Sequence, residues 1–144
     1  LIKSEADFVS DEVPPDIASA QKAIEWANHL VIIYPLWLGT MPALLKAAFE
    51  QIFRYGFGMA KPDEGWGRLL KGRSARIIVT MGMPAFAYRW FFRAHSLKSL
   101  ERNILWMCGI GPIRETLIGG SDLTVAKNRE AWIEKIRKLG AKAK

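Results

Sequence analysis

The chain has 144 residues, is 50% hydrophobic and carries a formal net charge of +7, which fits one domain with a core of its own rather than a disordered or fibrous chain. No apolar run reaches the ~20 residues of a membrane span, and no basic-then-apolar leader opens the sequence, so a cytoplasmic protein is the default expectation. A single cysteine, Cys108, excludes an internal disulfide and fits no zinc spacing; between Trp106 and Met107 on one side and Gly109 on the other it reads as a packed core thiol.

Residues 1–15 mix charges with Pro14-Pro15 and read as an irregular segment. From Asp16, a good N-cap, Ile17, Ala20, Ile24 and Ala27 recur at helical spacing to about Asn28. A β-branched apolar strand, residues 30–34, follows at once and stops at Pro35. An aromatic and a glycine then occupy a turn, and Pro42 opens a helix whose buried stripe is Leu45, Ala48, Phe49, Ile52 and Phe53, ending near Gly56. Residues 56–72, with five glycines, Pro62 and Trp66, form a long connection. A second strand spans residues 75–80 and ends in Met81-Gly82-Met83-Pro84. An aromatic loop, residues 86–92, leads to a helix over about 96–108 with Leu97, Leu100, Ile104 and Met107 on one side. Residues 113–118 form a third strand, and Ser121 or Asp122 caps a last helix with Val125, Trp132, Ile136 and Leu139 inward.

Alternating helices and strands imply an α/β fold with a parallel sheet and right-handed crossovers. Three strands are few for four helices, and the first of them would keep an edge in need of a neighbour. The pattern reads as one whose opening βαβ portion is absent. Charge is concentrated: residues 66–102 hold eight basic side chains, Arg68, Lys71, Arg73, Arg76, Arg89, Arg93, Lys98 and Arg102, against Glu101 alone, which accounts for the whole net charge. Such a segment can be a solvated face, a dimer rim or a surface for phosphates and carboxylates.

The stretch P-L-W-L-G-T-M-P-A-L-L-K at residues 35–46, with Glu50 four residues beyond Lys46, resembles the loop after the third strand in flavodoxin-like NAD(P)H:quinone oxidoreductases, a family that includes flavin reductases and ancillary subunits of potassium-efflux systems. V-T-M-G-M-P followed by Tyr88 resembles the loop after the fourth strand, and the passage from Trp106 through C-G-I-G-P to R-E-T-L-I-G-G the approach to the fifth. The resemblance implies a flavodoxin-like three-layer sandwich, a single domain over residues 1–144 with a parallel sheet in the order 2-1-3-4-5, and ligands at the carboxyl edge of the strands. Nothing in residues 1–13 matches the family's first strand and phosphate-cradling loop.

The resemblance further implies FMN or FAD as cofactor, NAD(P)H as hydride donor, a quinone-like acceptor and a homodimer with the active site at its interface. Pro35, Leu36, Trp37, Leu38 and Gly39 would form one side of the ring pocket, with the amides of Trp37, Leu38 and Gly39 donating to the flavin, and Thr80, Met81, Gly82 and Met83 would approach from the next strand. A core position is the competing reading of Trp37. Tyr88 and His95 are the candidates for balancing charge on reduced flavin or bound quinone; His95 also reads as a plain helix-start residue, and His29 as structural. Phe86, Trp90, Phe91 and Phe92 could roof the pocket or form a dimer contact, and Arg89, with Arg93, could meet nucleotide phosphates. No metal ligands are expected. A second class of function, a non-catalytic regulatory subunit on the same scaffold, competes with the oxidoreductase reading; nucleic-acid binding ranks low because no reader motif is present.

Overall fold

The computed structural model describes residues 2, 4–120 and 125–142. In chain order the elements are α1 (Glu5–Val9), α2 (Pro15–Trp26), β1 (His29–Pro35), α3 (Ala43–Ile52), β2 (Ser74–Met81), a π-helical turn (Ala87–Phe91), α4 (His95–Ser99) continuing as a π-helix (Leu100–Trp106), β3 (Ile113–Gly119) and α5 (Val125–Gly140). The three strands form one parallel sheet in the order β1-β2-β3, with Pro35 beside Thr80 and Thr80 beside Ile118 at its carboxyl edge.

Three local readings of the sequence are corrected. The irregular N-terminal segment contains α1, closed by a capping box in which the Asp7 N–H donates to the Ser4 hydroxyl and the Ser4 N–H donates to the Asp7 carboxylate. Asp16 does not cap α2. Pro14 stands at the N-cap and Pro15 is the first helical residue, where its missing N–H costs nothing, and Asp16 lies in the first turn, favourably placed for the helix dipole. The third concerns the helix expected over 96–108, which is α-helical only to Ser99. The wider π-winding that follows moves the buried stripe, so Leu97, Leu100, Leu105 and Cys108 are the fully buried residues, while Ile104 and Met107 are half-buried. The aromatic loop likewise has a π-helical turn at its centre. The cap expected at Ser121 or Asp122 lies outside the described residues, and beyond it Trp132, Ile136 and Leu139 of α5 are half-buried, as is Glu134.

The core lies between one face of the sheet and α3, α4 and the π-helix: Tyr34, Ala75, Ile77, Val79 and Met81 meet Phe49, Phe53, Leu97, Leu100, Leu105 and Ile110. Each such large side chain contributes about 1.5–3 kcal/mol by leaving water. On the opposite face Arg76 is buried and donates to the Thr116 hydroxyl at 2.7 Å; burial and the neighbouring Arg114 hold its pKa below the ordinary arginine value. The outer edge of β1 has no partner strand among the described residues, and Val31 and Ile33 on that strand are more than half exposed. Arg54, itself buried, fastens the chain ahead of α2 by donating to the Ser10 and Glu12 carbonyls and to both the carbonyl and the side-chain oxygen of Gln51.

Candidate functional site

Past Pro35 the chain leaves the sheet edge, tied to it by a 2.7 Å bond from the Leu36 N–H to the Thr80 carbonyl. Trp37 and Thr40 then exchange both backbone hydrogen bonds, each 2.9 Å, closing a two-residue hairpin around Leu38 and Gly39. Both central residues are left-handed, Leu38 at φ 47° and Gly39 at φ 80°, which is the type I′ geometry. Glycine adopts it freely. Leucine does not, at a cost of about 1–2 kcal/mol. The Leu38 side chain recovers nothing by packing, since it is fully exposed, and the Trp37 ring is 62% exposed. Trp37 is therefore a rim residue and not part of the core.

The strain lies at the carboxyl edge of a parallel sheet, the edge at which open α/β sheets bind ligands. The N–H groups of Leu38 and Gly39 have no intramolecular acceptor among the described residues, whereas the Trp37 N–H, expected to be available, is consumed by the hairpin. Below the hairpin opens a cleft of about 440 Å³ lined by Trp37, Leu38, Met41, Pro42, Ser96 and Ile104, among others, and it is mostly apolar. Such a surface suits a flat aromatic better than a phosphate.

The other expected site residues divide into three groups. Thr80 joins the hairpin through Leu36, and Met81, Gly82 and Met83 continue from it along the sheet edge, held to the end of β3 by a 3.0 Å bond from the Gly120 N–H to the Met83 carbonyl. Tyr88 is buried. Its hydroxyl shares a 2.7 Å hydrogen bond with the Ser96 hydroxyl and accepts the Leu97 N–H at 3.3 Å, so it reaches the cleft through Ser96 rather than directly. His95 is exposed at the start of α4, adjacent to Ser96. Phe86 and Arg89 lie together elsewhere, in a second cleft beside β3 with Trp90, Thr116 and Trp132, where Arg89 forms an ion pair with Glu115.

Met41, Ser96, Ser99 and Ile104 line the hairpin cleft without having been singled out in the sequence. For Ser96 a signal was available, since a serine eight residues after Tyr88 falls within reach once the intervening chain turns back. Tyr34 was also missed. Its buried hydroxyl has no hydrogen-bond partner among the described residues, and burial, followed by Tyr88 and Glu101, pushes its pKa above the ordinary phenol value. Burial and the neighbouring Glu115 similarly raise Glu101. Cys108 is in the core as expected, its thiol pushed up to about 12 by burial. No cluster of three or more metal-ligating side chains occurs among the described residues. No helix among them is long and apolar enough to cross a membrane.

A family described as having a flavodoxin-like fold matches residues 3–141. The chain belongs to this flavodoxin-like family. Among curated relatives, it is 30% identical over 123 residues to an uncharacterized NAD(P)H oxidoreductase of Haemophilus influenzae, covering 85% of this chain and 61% of that protein. It is 31% identical over 122 residues to an FMN-dependent NADH:quinone oxidoreductase of Nitratidesulfovibrio vulgaris, covering 78% of this chain and 56% of that protein. Among solved structures, Smu.1420 of Streptococcus mutans UA159 superposes with a TM-score of 0.80 at 27% identity, covering 96% of this chain and 73% of that one. The chain spans from 31% to 63% of the length of the curated relatives it matches first.

The three parallel strands of the flavodoxin-like chain bring the hairpin and residues 80–83 to one edge, as the resemblance implies. The ring end of a flavin fits what is present: two unengaged amides, an exposed tryptophan and an apolar cleft. At the starts of α2 and α3 the N-cap is a proline that offers no side-chain hydrogen bond.

Proposed function

We propose that the protein is a flavin-dependent oxidoreductase that takes a hydride from NAD(P)H and delivers it to a quinone or similar electrophile, with FMN or FAD held against the Trp37–Thr40 hairpin. The observation that carries this reading is the hairpin itself: a left-handed, fully exposed leucine whose own N–H and that of Gly39 have no acceptor among the described residues, above an apolar cleft at the sheet's carboxyl edge. Its similarity to an NAD(P)H oxidoreductase of Haemophilus and an FMN-dependent NADH:quinone oxidoreductase of Nitratidesulfovibrio supports it.

Bound flavin supplies the hydride chemistry, accepting and returning two electrons at its own ring. The chain's residues bind and orient. Pro35, Leu36, Trp37 and Leu38 form an apolar wall, the Leu38 and Gly39 amides donate to ring carbonyl or nitrogen acceptors, and Thr80, Met81, Gly82 and Met83 complete the edge. Tyr88 acts as a positioning residue, fixing the Ser96 hydroxyl at the cleft. His95, exposed next to Ser96, is the group that exchanges a proton with solvent. The homodimer belongs to the same proposal: Leu44 on α3, 86% exposed, and Leu38 are the apolar side chains beside the cleft that a second copy would cover. Cytoplasmic placement is part of the same proposal, where NAD(P)H is at hand as hydride donor.

The test is an anaerobic visible spectrum of the purified, flavin-loaded protein. NADH or NADPH should bleach the flavin bands, and a soluble quinone should restore them over many cycles. Retained flavin that neither nucleotide reduces would instead favour a regulatory subunit.

A further inference from the structure

Beside the hairpin cleft lies a smaller cavity of about 170 Å³, between α1, α3, the chain that follows α3 and the π-helix. Its walls are Phe8, Phe49, Phe53, Met59, Ile104 and Cys108, of which Phe49, Phe53 and Cys108 are buried core residues. The polar side chains that line it are exposed and engaged: Lys46 pairs with Glu50, and Asn103 donates to the Ser99 hydroxyl at 3.5 Å. Close-packed interiors leave few voids larger than a water molecule. An apolar void of about 150 Å³ stays dry and takes up a molecule the size of benzene. The space against Phe49 and Phe53 is therefore one for apolar atoms. The fold holds it open, because the segment that carries Phe8 is anchored. The Phe8 ring meets Tyr55 edge-on at 5.3 Å, Lys61 donates to both Asp11 carboxylate oxygens at 2.8 and 2.9 Å, and Arg54 donates to the Ser10 and Glu12 carbonyls.

This cavity adjoins the hairpin cleft, since Lys46 and Ile104 line both. Lys46 is a weak partition. Its side chain is 48% exposed, and an exposed ion pair such as Lys46–Glu50 holds it with little energy, so the stem swings aside at small cost. Cleft and cavity together make a site for a planar ring with a short apolar side pocket. If about 150 Å³ holds the six carbons of benzene, a cavity of 170 Å³ suits the five carbons of one isoprene unit. A polar substituent would leave its donors and acceptors unpaired against the phenylalanine rings.

We propose that the acceptor is a quinone bearing an isoprenoid side chain, with its ring at the hairpin cleft and the first five-carbon unit of its chain in the cavity formed by Phe49, Phe53, Met59 and Ile104. The proposal rests on the flavin reading above and deepens it by naming the class of acceptor.

The experiment measures kcat/KM of the flavin-loaded protein, with NADH or NADPH as donor, for a tailless dimethoxy-methyl-benzoquinone and for the same ring carrying one or two isoprene units. The one-unit quinone should exceed the tailless one by about tenfold or more, from burial of its five carbons. Asn103→Trp, which sets an indole at an exposed lining position, should fill the cavity and bring that ratio to about one. Phe8→Ala acts in the opposite direction. It joins the cavity to the groove that Phe8, Lys46 and Glu50 also line, and should raise the two-unit quinone over the one-unit quinone by about threefold or more. If circular dichroism shows that Asn103→Trp does not fold, Phe8→Ala decides. Equal kcat/KM for the tailless and one-unit quinones overturns this assignment and leaves the flavin reading standing, whereas turnover of neither overturns both. A preference that survives Asn103→Trp in a folded protein, or that Phe8→Ala leaves unchanged, also overturns the assignment. So does conversion of a dimer to a monomer by Asn103→Trp in sedimentation, which would give the cavity to a second copy.

Discussion

Gly119 closes β3 where the Met83–Ala85 backbone crosses it, and replacing it by alanine tests whether that crossing sets the shape of the site. A Cβ at Gly119 would lie 2.2 Å from the Ala85 nitrogen, 2.7 Å from the Met83 carbonyl oxygen and 2.9 Å from the Ala85 Cα. All three are backbone atoms, so no side-chain rotation relieves the clash. Ordinary contact at 3.4 Å requires the segment to retreat by about 1.2 Å, which also breaks the bond from the Gly120 N–H to the Met83 carbonyl. Overpacking costs about 1–3 kcal/mol and the lost hydrogen bond about 1 kcal/mol. Gly119→Ala should therefore destabilise by about 2–4 kcal/mol, a fall in Tm of about 6–12 °C for a chain of this size. Thermal unfolding followed by circular dichroism reads the shift. Flavin affinity should fall with it, because residues 81–83 move. Gly140→Ala, where the added Cβ meets nothing within 4 Å, is the matched control and should be neutral or slightly stabilising. A Gly119→Ala protein with the parental Tm and flavin affinity would refute the reasoning.

Leu38→Gly removes the left-handed strain of a side chain that packs against nothing, so stability should rise by about 0.5–1 kcal/mol after the entropy of glycine is set against it; flavin affinity should drop if the leucine covers the ring, and a drop in stability instead would contradict the strain argument. Cys108, fully buried with its thiol pushed up to about 12, should resist alkylation in the native protein near neutral pH and react at once in urea, as mass spectrometry would reveal. Burial, with Glu115 adding to it, raises the Glu101 carboxyl above the ordinary glutamate value, so the native state holds that proton to higher pH than the unfolded chain. Stability therefore falls as pH rises from the ordinary value through the raised one. Glu101→Gln should flatten that part of the profile in urea midpoints measured from about pH 4 to pH 8, and an unchanged slope would count against the assignment.

Much of this was legible because hydrophobic period and proline punctuation act locally. The strands emerged within one or two residues, and P-L-W-L-G-T-M-P could be read as a turn at a sheet edge because Pro35 and Pro42 bracket it. Gly39 announced a reversal. That Leu38 shares the left-handed region did not show, since leucine carries no preference for it and only the two hydrogen bonds between Trp37 and Thr40 enforce it.

The π-helical stretches were illegible for a related reason: one extra residue per turn appears in sequence as a slightly wrong α-helical stripe, and Leu105 displaced Ile104 from the core accordingly. Tyr88 carried the expectation of a residue facing the ligand, yet the core claimed its ring and left Ser96 at the cleft surface. Phe86 and Arg89, only a few residues from Tyr88, are turned by the same π-geometry to the β3 side, where Glu115 supplies an ion-pair partner that no local pattern discloses. The role of Arg54 is hidden in the same way, because its acceptors at Ser10 and Glu12 lie more than forty residues away.

The most direct test of the central claim follows the backbone amide resonances of the isotopically labelled protein as FMN is added. Binding as described should shift the Leu38 and Gly39 amides most strongly, with Met81, Gly82 and Met83 next, and leave Trp90 and Trp132 in the second cleft unmoved. Saturable FMN binding that perturbs the second cleft while leaving Leu38 and Gly39 unchanged would contradict the placement of the flavin, and with it the functional reading built on the hairpin.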